Sequence, residues 1–318
     1  MQAIVEEDGK LILSHQPNLT PGVGEVLIAT HAAGVNRADL VQRQGHYPPP
    51  PGASEILGLE CSGRVEQVGA EVDPAWLGRE VCALLAGGGY ASQVVCPVGC
   101  VLPVPERLSL TEAAALPEVF ATAYLNLKLE GQLKEGERVL VHAGASGVGT
   151  AAISLCAAWG NPIFVTVGSA DKENRCRALG AQQTANRHEG PWGTAVRAWG
   201  GADVILDPVG ASYLESNIFA LRPGGRLVNI GLMGGREGTL PLGPILTKRL
   251  TLKGSVLRSR SVKEKTELVE RLAAEVWPLI ESGQVSPVID TVMPLQEAEQ
   301  AHLRMSSNLN VGKILLKV

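Results

Sequence analysis

A glycine-rich turn carries the residues best suited to bind a cofactor. It follows a short apolar run, residues 139–143, and its sequence GASGVG matches the dinucleotide fingerprint G-x-G-x-x-G with a serine in place of the middle glycine. Glycines let backbone N–H groups approach a phosphate, and the positive end of the following helix favours negative charge. The turn predicts a site for a cofactor pyrophosphate; the alternative is a tight turn without a ligand. The residues assigned to it are Gly144, Ser146, Gly147, Val148 and Gly149.

The loop after the next apolar run indicates which dinucleotide binds. A site selective for NADH places an acid there to bind the ribose hydroxyl, but this chain has Gly168 and Ser169, with no acid before Asp171. Lys172 and Arg187 offer positive charge nearby, which suits the 2′-phosphate of NADPH. We therefore predict NADPH; the alternative for some of these cations is a solvated helix face.

The elements that must position these residues alternate regularly from Arg138 onward. Short apolar runs at residues 139–143, 163–167, 203–207 and 226–231 are separated by helical segments that end near Trp159, Leu179 and Leu221. Strands and helices alternating in this way predict a right-handed parallel α/β sheet, with the glycine turn as its first strand-to-helix turn. Residues at the ends of the later strands, where a dinucleotide crosses the sheet edge, are Gly210, Gly231, Leu232 and Met233.

The two ends of the chain are predicted to be rich in strands. Short apolar runs at residues 25–30, 63–68, 80–85 and 90–96 are broken by glycine and proline, which is typical of a compact β domain. Beyond them we predict a helix from residue 111 to near residue 131, a strand at 250–257, a helix at 263–280 and a last strand at 311–318.

The composition excludes several classes of function. The chain has 318 residues, enough for two domains, with 45% hydrophobic residues, 19% charged residues and a net charge of -4. Its basic residues are scattered and outnumbered by acids, which argues against a nucleic-acid partner. The first residues, MQAIVEEDGK, have acids where a signal peptide would need a basic segment, and no run reaches transmembrane length. We therefore expect a cytoplasmic protein without a membrane partner. The six cysteines form no C-x-x-C pair and are expected to be mostly reduced core residues.

Several segments in a fixed order resemble a known family. They are GVNRADLVQRQGHYPPPPGAS, ILGLECSG, HAGASGVGTAAISL, ILDPVGASY, IGLMGG, LRSRS and NVGKI. The chain resembles the zinc-free quinone oxidoreductases of the medium-chain dehydrogenase/reductase superfamily, most closely the p53-inducible quinone oxidoreductase branch. The resemblance implies an α/β fold with a Rossmann-type, doubly wound parallel sheet domain that binds NADPH, residues 121–257. It also implies a β-rich GroES-like catalytic domain, residues 1–120 and 258–318.

The resemblance further implies that no metal is bound. The alcohol dehydrogenases of the same superfamily would need a cysteine where Asn36 stands, a histidine where Leu59 stands and another cysteine near Glu118. The loop with four cysteines that holds their structural zinc is also missing, because the chain passes directly through LLAGGGYAS. Since a zinc site needs three or four N, S or O ligands, we predict no metal site.

The remaining roles follow from the resemblance and from side-chain chemistry. Asn36 is expected at the nicotinamide, and Tyr47, beside four stiff prolines, is expected to stack on the substrate or to donate its hydroxyl to a carbonyl oxygen. Ser146 is expected to donate its hydroxyl to a cofactor phosphate or to the nicotinamide end. Asn310 and Lys313 resemble the segment that returns to the cofactor. The alternatives are turn capping for Asn36, loop packing for Tyr47, a small turn residue for Ser146 and a surface charge for Lys313.

These features predict an NADPH:quinone oxidoreductase. Quinones are good electron acceptors, so hydride transfer to them needs positioning and hydrogen-bond donors but no Lewis acid. Two alternatives stay open: an NADPH-dependent reductase of activated alkenes, such as enoyl thioesters or alkenals, and an NADPH-binding sensor with negligible turnover. The expected partners are a small-molecule quinone and a second copy of the chain, because the family forms homodimers and residues 250–257 suit an exposable sheet edge.

Overall fold

The chain folds into two compact units, and a computed structural model describes all 318 residues. The terminal unit comprises residues 1–121 and 257–318, and the central unit comprises residues 122–256. None of the helices combines the length and the apolar character needed to cross a membrane.

Fifteen strands and eleven α-helices make up the regular structure. The strands are β1 (Gln2–Glu7), β2 (Lys10–His15), β3 (Glu25–Val35), β4 (Glu60–Val68), β5 (Glu80–Leu84), β6 (Gln93–Pro97), β7 (Val101–Pro103), β8 (Val139–Val141), β9 (Ile163–Val167), β10 (Gln183–Asn186), β11 (Ala202–Asp207), β12 (Leu221–Asn229), β13 (Thr251–Gly254), β14 (Ile289–Pro294) and β15 (Lys313–Lys317). The helices are α1 (Arg37–Arg43), α2 (Leu110–Ala113), α3 (Pro117–Tyr124), α4 (Gly147–Ala158), α5 (Ala170–Ala178), α6 (Trp192–Trp199), α7 (Leu214–Ala220), α8 (Leu242–Lys248), α9 (Val262–Glu275), α10 (Trp277–Glu281) and α11 (Ala298–Ser306).

The central unit is built on a six-stranded parallel sheet. Its strand order is β10-β9-β8-β11-β12-β13. Strands β8, β9 and β11 are almost entirely buried, which suits parallel strands that are covered on both faces. From β8 the chain adds β9 and then β10 on one side of the sheet, and from β11 it adds β12 and then β13 on the other side. This confirms the predicted Rossmann-type sheet, and such sheets bind ligands at the carboxyl ends of the strands where the order reverses.

The terminal unit is built on a seven-stranded sheet. Its order is β14-β15-β3-β4-β5-β7, and β6 also pairs with β3. All pairs are antiparallel except β14 with β15. The long strand β3 lies between β15 and β4, which places its last residue, Val35, opposite Ile314. The β-rich GroES-like architecture was thus predicted correctly, and this pairing brings the ends of three strands together.

Several element boundaries differ from the prediction for identifiable reasons. Strand β10 was missed because its sequence QTAN is short and polar. The other missed elements are β1, β2, β7, β14, α1, α6, α8 and α11. The helix predicted for residues 263–280 is divided into α9 and α10. The one predicted from residue 111 is divided into α2 and α3, and a π-helix, Leu125–Glu130, continues α3 to the predicted end near residue 131. Pro278 and Pro117 lie at these breaks, where a proline has no N–H to donate. The strand predicted for 139–143 ends at Val141, because Ala143 adopts a left-handed φ of 54°.

All six cysteines are buried and unpaired. Burial raises the pKa of each thiol above its usual value. For Cys156 and Cys176 the pKa rises to about 12. The thiols are therefore neutral core groups at physiological pH.

Candidate cofactor and substrate sites

The glycine turn joins β8 to α4 and is shaped by close packing. A Cβ atom on Gly144 would lie 2.4 Å from Cβ of Val165, and one on Gly149 would lie 2.5 Å from the carbonyl oxygen of Ala143. Both positions therefore exclude any larger residue. The turn holds the start of α4 against β8 and β9, as the first and third glycines of a dinucleotide fingerprint do.

Ser146 takes the place of the middle glycine and is the N-cap residue of α4. Its Oγ accepts a hydrogen bond of 3.0 Å from the backbone N–H of Gly149. The first-turn N–H groups of Gly147 and Val148 have no acceptor within the helix. Ser146 can cap the helix and still bind a phosphate, because its half-buried hydroxyl keeps its own hydrogen for donation.

The loop after β9 combines an exposed cation with a helix N-terminus. Ser169 caps α5, its Oγ accepting from the N–H of Lys172 at 3.3 Å. The guanidinium of Arg187, which follows β10, lies so close to Gly168 that a Cβ there would be 3.1 Å from it. The structure therefore brings Gly168, Ser169 and Arg187 together, with no carboxylate among them. This arrangement favours an anion such as a phosphate monoester.

A cleft of about 420 Å³ opens at the carboxyl ends of β11, β12 and β13. Gly210 and Leu232 line it, as do Asp207 and Asn229 at the ends of their strands. The Asp207 carboxylate is occupied by its own loop, accepting from the N–H groups of Val209 and Gly210 at 2.7 and 3.2 Å. The neighbouring Gly231, Leu232 and Met233 form the loop after β12, and the side chains of the last two are half exposed. This edge is open to a ligand.

The terminal unit contains a buried cluster of Asn36, Glu60 and Lys313. The Nζ of Lys313 lies 2.5 Å from Oε1 of Glu60 and donates to Oδ1 of Asn36 at 2.7 Å and to the carbonyl of Val35 at 2.8 Å. The Asn36 amide in turn donates to Glu60 at 3.0 Å. Because Lys313 is 3% exposed and Glu60 is fully buried, the interpretation of Lys313 as a surface charge is wrong. Asn36 does precede α1, but its side chain is bound within this cluster.

The cluster includes residues from the segments in which we expected the zinc ligands of the alcohol dehydrogenases. Glu60 follows Leu59, and its second oxygen accepts from the backbone N–H of Glu118 at 2.9 Å. No group of three or more His, Cys, Asp or Glu side chains is arranged to hold a metal ion. The ammonium of Lys313 lies between Asn36 and Glu60.

A second buried network adjoins the first through α1. Asp39 accepts from the backbone N–H groups of Asn36 at 2.7 Å and Gly58 at 3.2 Å, and from the hydroxyl of Tyr90 at 3.0 Å. Tyr90 Oη also lies 3.2 Å from Nε2 of His302. Burial raises the pKa of Asp39 to about 6, despite the hydrogen bonds that lower it. Burial and, to a smaller extent, the nearby Arg43 lower the pKa of His302 to about 4.

We expect Asp39 and His302 to give opposite pH dependences of stability. The folded pKa of His302 lies below its ordinary value of 6.5, so its contribution is present above that pH and is lost towards pH 4. The folded pKa of Asp39 lies above its ordinary value of 3.8, so stability falls as the pH rises from there towards 6. Each effect is at most about 3 kcal/mol.

Urea unfolding between pH 4 and 6.5 separates the two groups. The free energy of unfolding of the wild type minus that of His302→Gln should rise with pH, and the wild type minus Asp39→Asn should fall. Two differences of the same sign would contradict the assignment.

Tyr47 is half-buried and held by Arg258. The guanidinium of Arg258 lies 5.3 Å from the centre of the tyrosine ring and donates from Nη1 to the Tyr47 carbonyl at 3.0 Å. Burial and the nearby Glu118 raise the pKa of the Tyr47 hydroxyl to about 12. The hydroxyl is therefore a neutral donor at physiological pH. The Tyr47 backbone therefore helps to pack the loop, while the Tyr47 hydroxyl can donate a hydrogen bond.

Asn310 lies in the turn before β15. Its Nδ2 donates to the carbonyl of Gly312 at 2.9 Å, and Gly312 has a φ of 83° that favours glycine. Asn310 shapes the turn that delivers Lys313 to its cluster. Sequence reasoning gave no role to Glu60, Asp39, Tyr90 or His302; the one available signal was an acid inside the apolar segment ILGLECSG.

Two protein families match the chain. The family described as an alcohol dehydrogenase GroES-like domain matches residues 22–106, and the one described as a zinc-binding dehydrogenase matches residues 147–274. The first match lies in the terminal unit. The second begins at the glycine turn and covers most of the central unit.

Known relatives extend over nearly the whole chain. The quinone oxidoreductase of Sus scrofa is 32% identical over 288 residues, which cover 89% of this chain and 85% of that protein. The synaptic vesicle membrane protein VAT-1 homolog of Danio rerio is 32% identical over 309 residues, which cover 92% of this chain. The chain spans 64% of that longer relative.

Solved structures share the fold over the full length. The quinone oxidoreductase from Thermus thermophilus, solved also in complex with NADPH, is 33% identical, with a TM-score of 0.85 and complete coverage of both chains. An NAD-dependent alcohol dehydrogenase is 31% identical, with a TM-score of 0.88 and the same coverage. The fold is therefore shared by proteins described with different dinucleotides and activities.

Proposed function

This chain belongs to the medium-chain dehydrogenase/reductase superfamily, and from that premise we propose that it is a metal-free, NADPH-dependent quinone oxidoreductase. The observation that carries the proposal is the buried ammonium of Lys313 beside Asn36 and Glu60. A fixed cation of the chain stands among the segments that hold zinc in the alcohol dehydrogenases. An acceptor that needs no Lewis acid suits this arrangement, and a quinone is such an acceptor.

The choice of NADPH rests on the loop after β9. Arg187 lies against Gly168, Ser169 caps the next helix, and the first acid of that helix, Asp171, pairs with Arg175 at 3.5 Å. A phosphate monoester carries about two negative charges near neutral pH, which a guanidinium and a helix N-terminus stabilise. The glycine turn would hold the pyrophosphate through Ser146, Gly147 and Val148. The NADPH complex of the Thermus relative supports the same choice.

Asn36 and Tyr47, both in the terminal unit, are proposed to act on the substrate. When bound, NADPH supplies a hydride from its nicotinamide ring. The chain's part is to orient the two reactants and to donate a hydrogen bond to the oxygen that gains charge. Tyr47 is a neutral donor, and Asn36 is held rigidly by Lys313 and Glu60.

The test is NADPH oxidation by the purified chain against ortho- and para-quinones, alkenals and enoyl thioesters. We expect turnover with quinones and little with the others. Preferential reduction of an activated alkene would replace the quinone assignment, and NADPH binding without oxidation of any acceptor would favour a sensor. Stoichiometric zinc in active protein, measured by metal analysis, would overturn the metal-free part of the proposal.

Replacing Arg187 by glutamine should reduce the preference for NADPH over NADH. We expect the Kd for NADPH to rise about tenfold or more, since a charge-assisted hydrogen bond is lost, while the Kd for NADH stays the same. Isothermal titration with both dinucleotides measures this. The matched control is Arg175→Gln, an exposed arginine paired with Asp171 in α5, which should change neither constant. Equal weakening of both dinucleotides by Arg187→Gln would contradict the assignment.

The proposal includes a homodimer that joins two copies through β13. This strand is the edge of the central sheet, and the preceding segment exposes Leu242 and Leu246, which are 69% and 80% exposed. An unpaired edge next to apolar side chains is suited to a second copy of the same strand. We expect a dimer by sedimentation, Leu246→Glu to shift it to monomer, and Leu303→Glu in the terminal unit to leave it dimeric. A monomeric wild type would contradict this proposal.

A further inference from the structure

Arg258 is a buried cation without an anionic partner. It is 4% exposed, and its Nε and Nη1 donate to the carbonyls of Ala86 at 2.7 Å and Tyr47 at 3.0 Å. Its third nitrogen, Nη2, is buried and has no hydrogen-bond partner. Buried arginines are ordinarily paired with carboxylates because an uncompensated charge is costly to bury. Positive charge and one unused donor are therefore held in place here.

The groups around Arg258 leave that charge uncompensated. Asp39 and Glu55 act on the guanidinium only at longer range, without an ion pair. Lys265, which is also buried, donates from Nζ to the Arg258 carbonyl at 2.6 Å and adds a second cation. Burial lowers the pKa of Arg258, but a guanidinium remains charged at neutral pH. The guanidinium lies 5.3 Å from the centre of the Tyr47 ring, where it acts to lower the pKa of the tyrosine hydroxyl, and Glu118 is the nearby anion that acts in the opposite direction.

If the chain has the proposed function, its quinone substrate acquires negative charge during the reaction. A hydride, which is one proton with two electrons, passes from NADPH to the quinone. NADPH is oxidised to NADP⁺, and the quinone is reduced to the hydroquinone monoanion. One carbonyl oxygen becomes a phenolate oxygen, which then takes a proton from water to give the neutral hydroquinone. The phenolate is the species that a nearby cation stabilises.

We propose that Arg258 and Tyr47 form an anion-stabilising pair for the phenolate oxygen of the reduced substrate. The Tyr47 hydroxyl donates a hydrogen bond to that oxygen. Arg258 is a positioning residue: it holds the tyrosine by its carbonyl and ring, and its uncompensated charge favours the negative oxygen. The pair predicts that the site binds a phenolate more tightly than the corresponding neutral phenol.

The probe for this preference is 4-nitrophenol, whose phenolate absorbs visible light. Its pKa when bound to the full chain is measured by absorbance titration, with and without NADP⁺. In the wild type we expect the pKa of the bound probe to fall by about one unit, which is a tenfold preference for the phenolate. Arg258→Gln should abolish the shift, and Arg258→Lys should retain part of it because the charge remains. Arg271→Gln, an exposed arginine on α9, is the matched control and should behave as the wild type.

Two results would overturn the pair: a wild type that does not bind the probe or leaves its pKa unchanged, and a folded Arg258→Gln variant with the full shift. The first needs no variant, so the proposal is falsifiable even if Arg258→Gln does not fold. The proposed function fails separately. A chain that shows the Arg258-dependent shift but oxidises no NADPH with quinones would keep the anion site and lose the reductase assignment. A chain that reduces quinones but does not shift the pKa of the probe would keep the reductase assignment and lose the anion site.

Discussion

Replacing Lys313 by methionine should lower the free energy of unfolding by about 3–5 kcal/mol. The change removes the ammonium from a fully buried Glu60 carboxylate and from the carbonyl oxygens of Asn36 and Val35. Glu60 would then keep only the N–H donors of Asn36 and Glu118, which do not neutralise its charge. Urea unfolding monitored by circular dichroism measures the loss.

Two further variants separate the ion pair from a general effect of losing a lysine. Lys317→Met changes an exposed lysine on the same strand and should alter stability by less than about 0.5 kcal/mol. The double variant Lys313→Met with Glu60→Leu removes both charges and should be more stable than Lys313→Met alone, because replacing a whole buried pair is often neutral. A single variant as stable as the wild type would show that the pair contributes nothing.

Replacing Gly149 by alanine should disrupt the glycine turn and weaken cofactor binding. The new Cβ would lie 2.5 Å from the carbonyl oxygens of both Ala143 and Gly144, and these are backbone atoms that cannot rotate away. The start of α4 must then shift, so we expect a loss of about 1–3 kcal/mol of stability. We also expect the Kd for NADPH to rise about tenfold or more, because the first-turn N–H groups move with the helix.

The control for this steric argument is Gly243→Ala. Gly243 lies in α8, also in the central unit, and a Cβ there would meet no atom within 4 Å. It should cause no loss of stability or of NADPH affinity, since alanine favours helix more than glycine does. If Gly149→Ala bound NADPH as the wild type does, the turn would not be the pyrophosphate site.

The central unit was predictable because its signals are local. The apolar runs, the glycine turn and the alternation with helices all lie within short windows of sequence, and the parallel sheet follows from them. Helices α6 and α8 were missed, and so was β10, whose four residues are too polar to stand out and which depends on pairing with β9. That strand forms through its pairing with β9, and no local sequence pattern predicts it.

The cluster around Glu60 was not predictable because its residues are far apart in the sequence. Asn36 lies 24 positions from Glu60 and 277 from Lys313, and the three meet only because β3 pairs with both β4 and β15. A one-residue change of register would turn Lys313 to the opposite face of its sheet. The sequence alone therefore left a surface lysine open as an alternative, and strand register excluded it. Likewise, Asp39, Tyr90 and His302 come from three distant segments joined by packing.

The buried cysteines have a chemical consequence for a protein that handles quinones. Quinones are electrophiles, and a thiolate adds to their ring and remains covalently attached. All six thiols of this chain lie in the core with pKa values raised by burial, so none offers a reactive thiolate to the solvent. If its substrate is a quinone, the chain meets it without being arylated at its own cysteines, and repeated turnover does not inactivate it by that route.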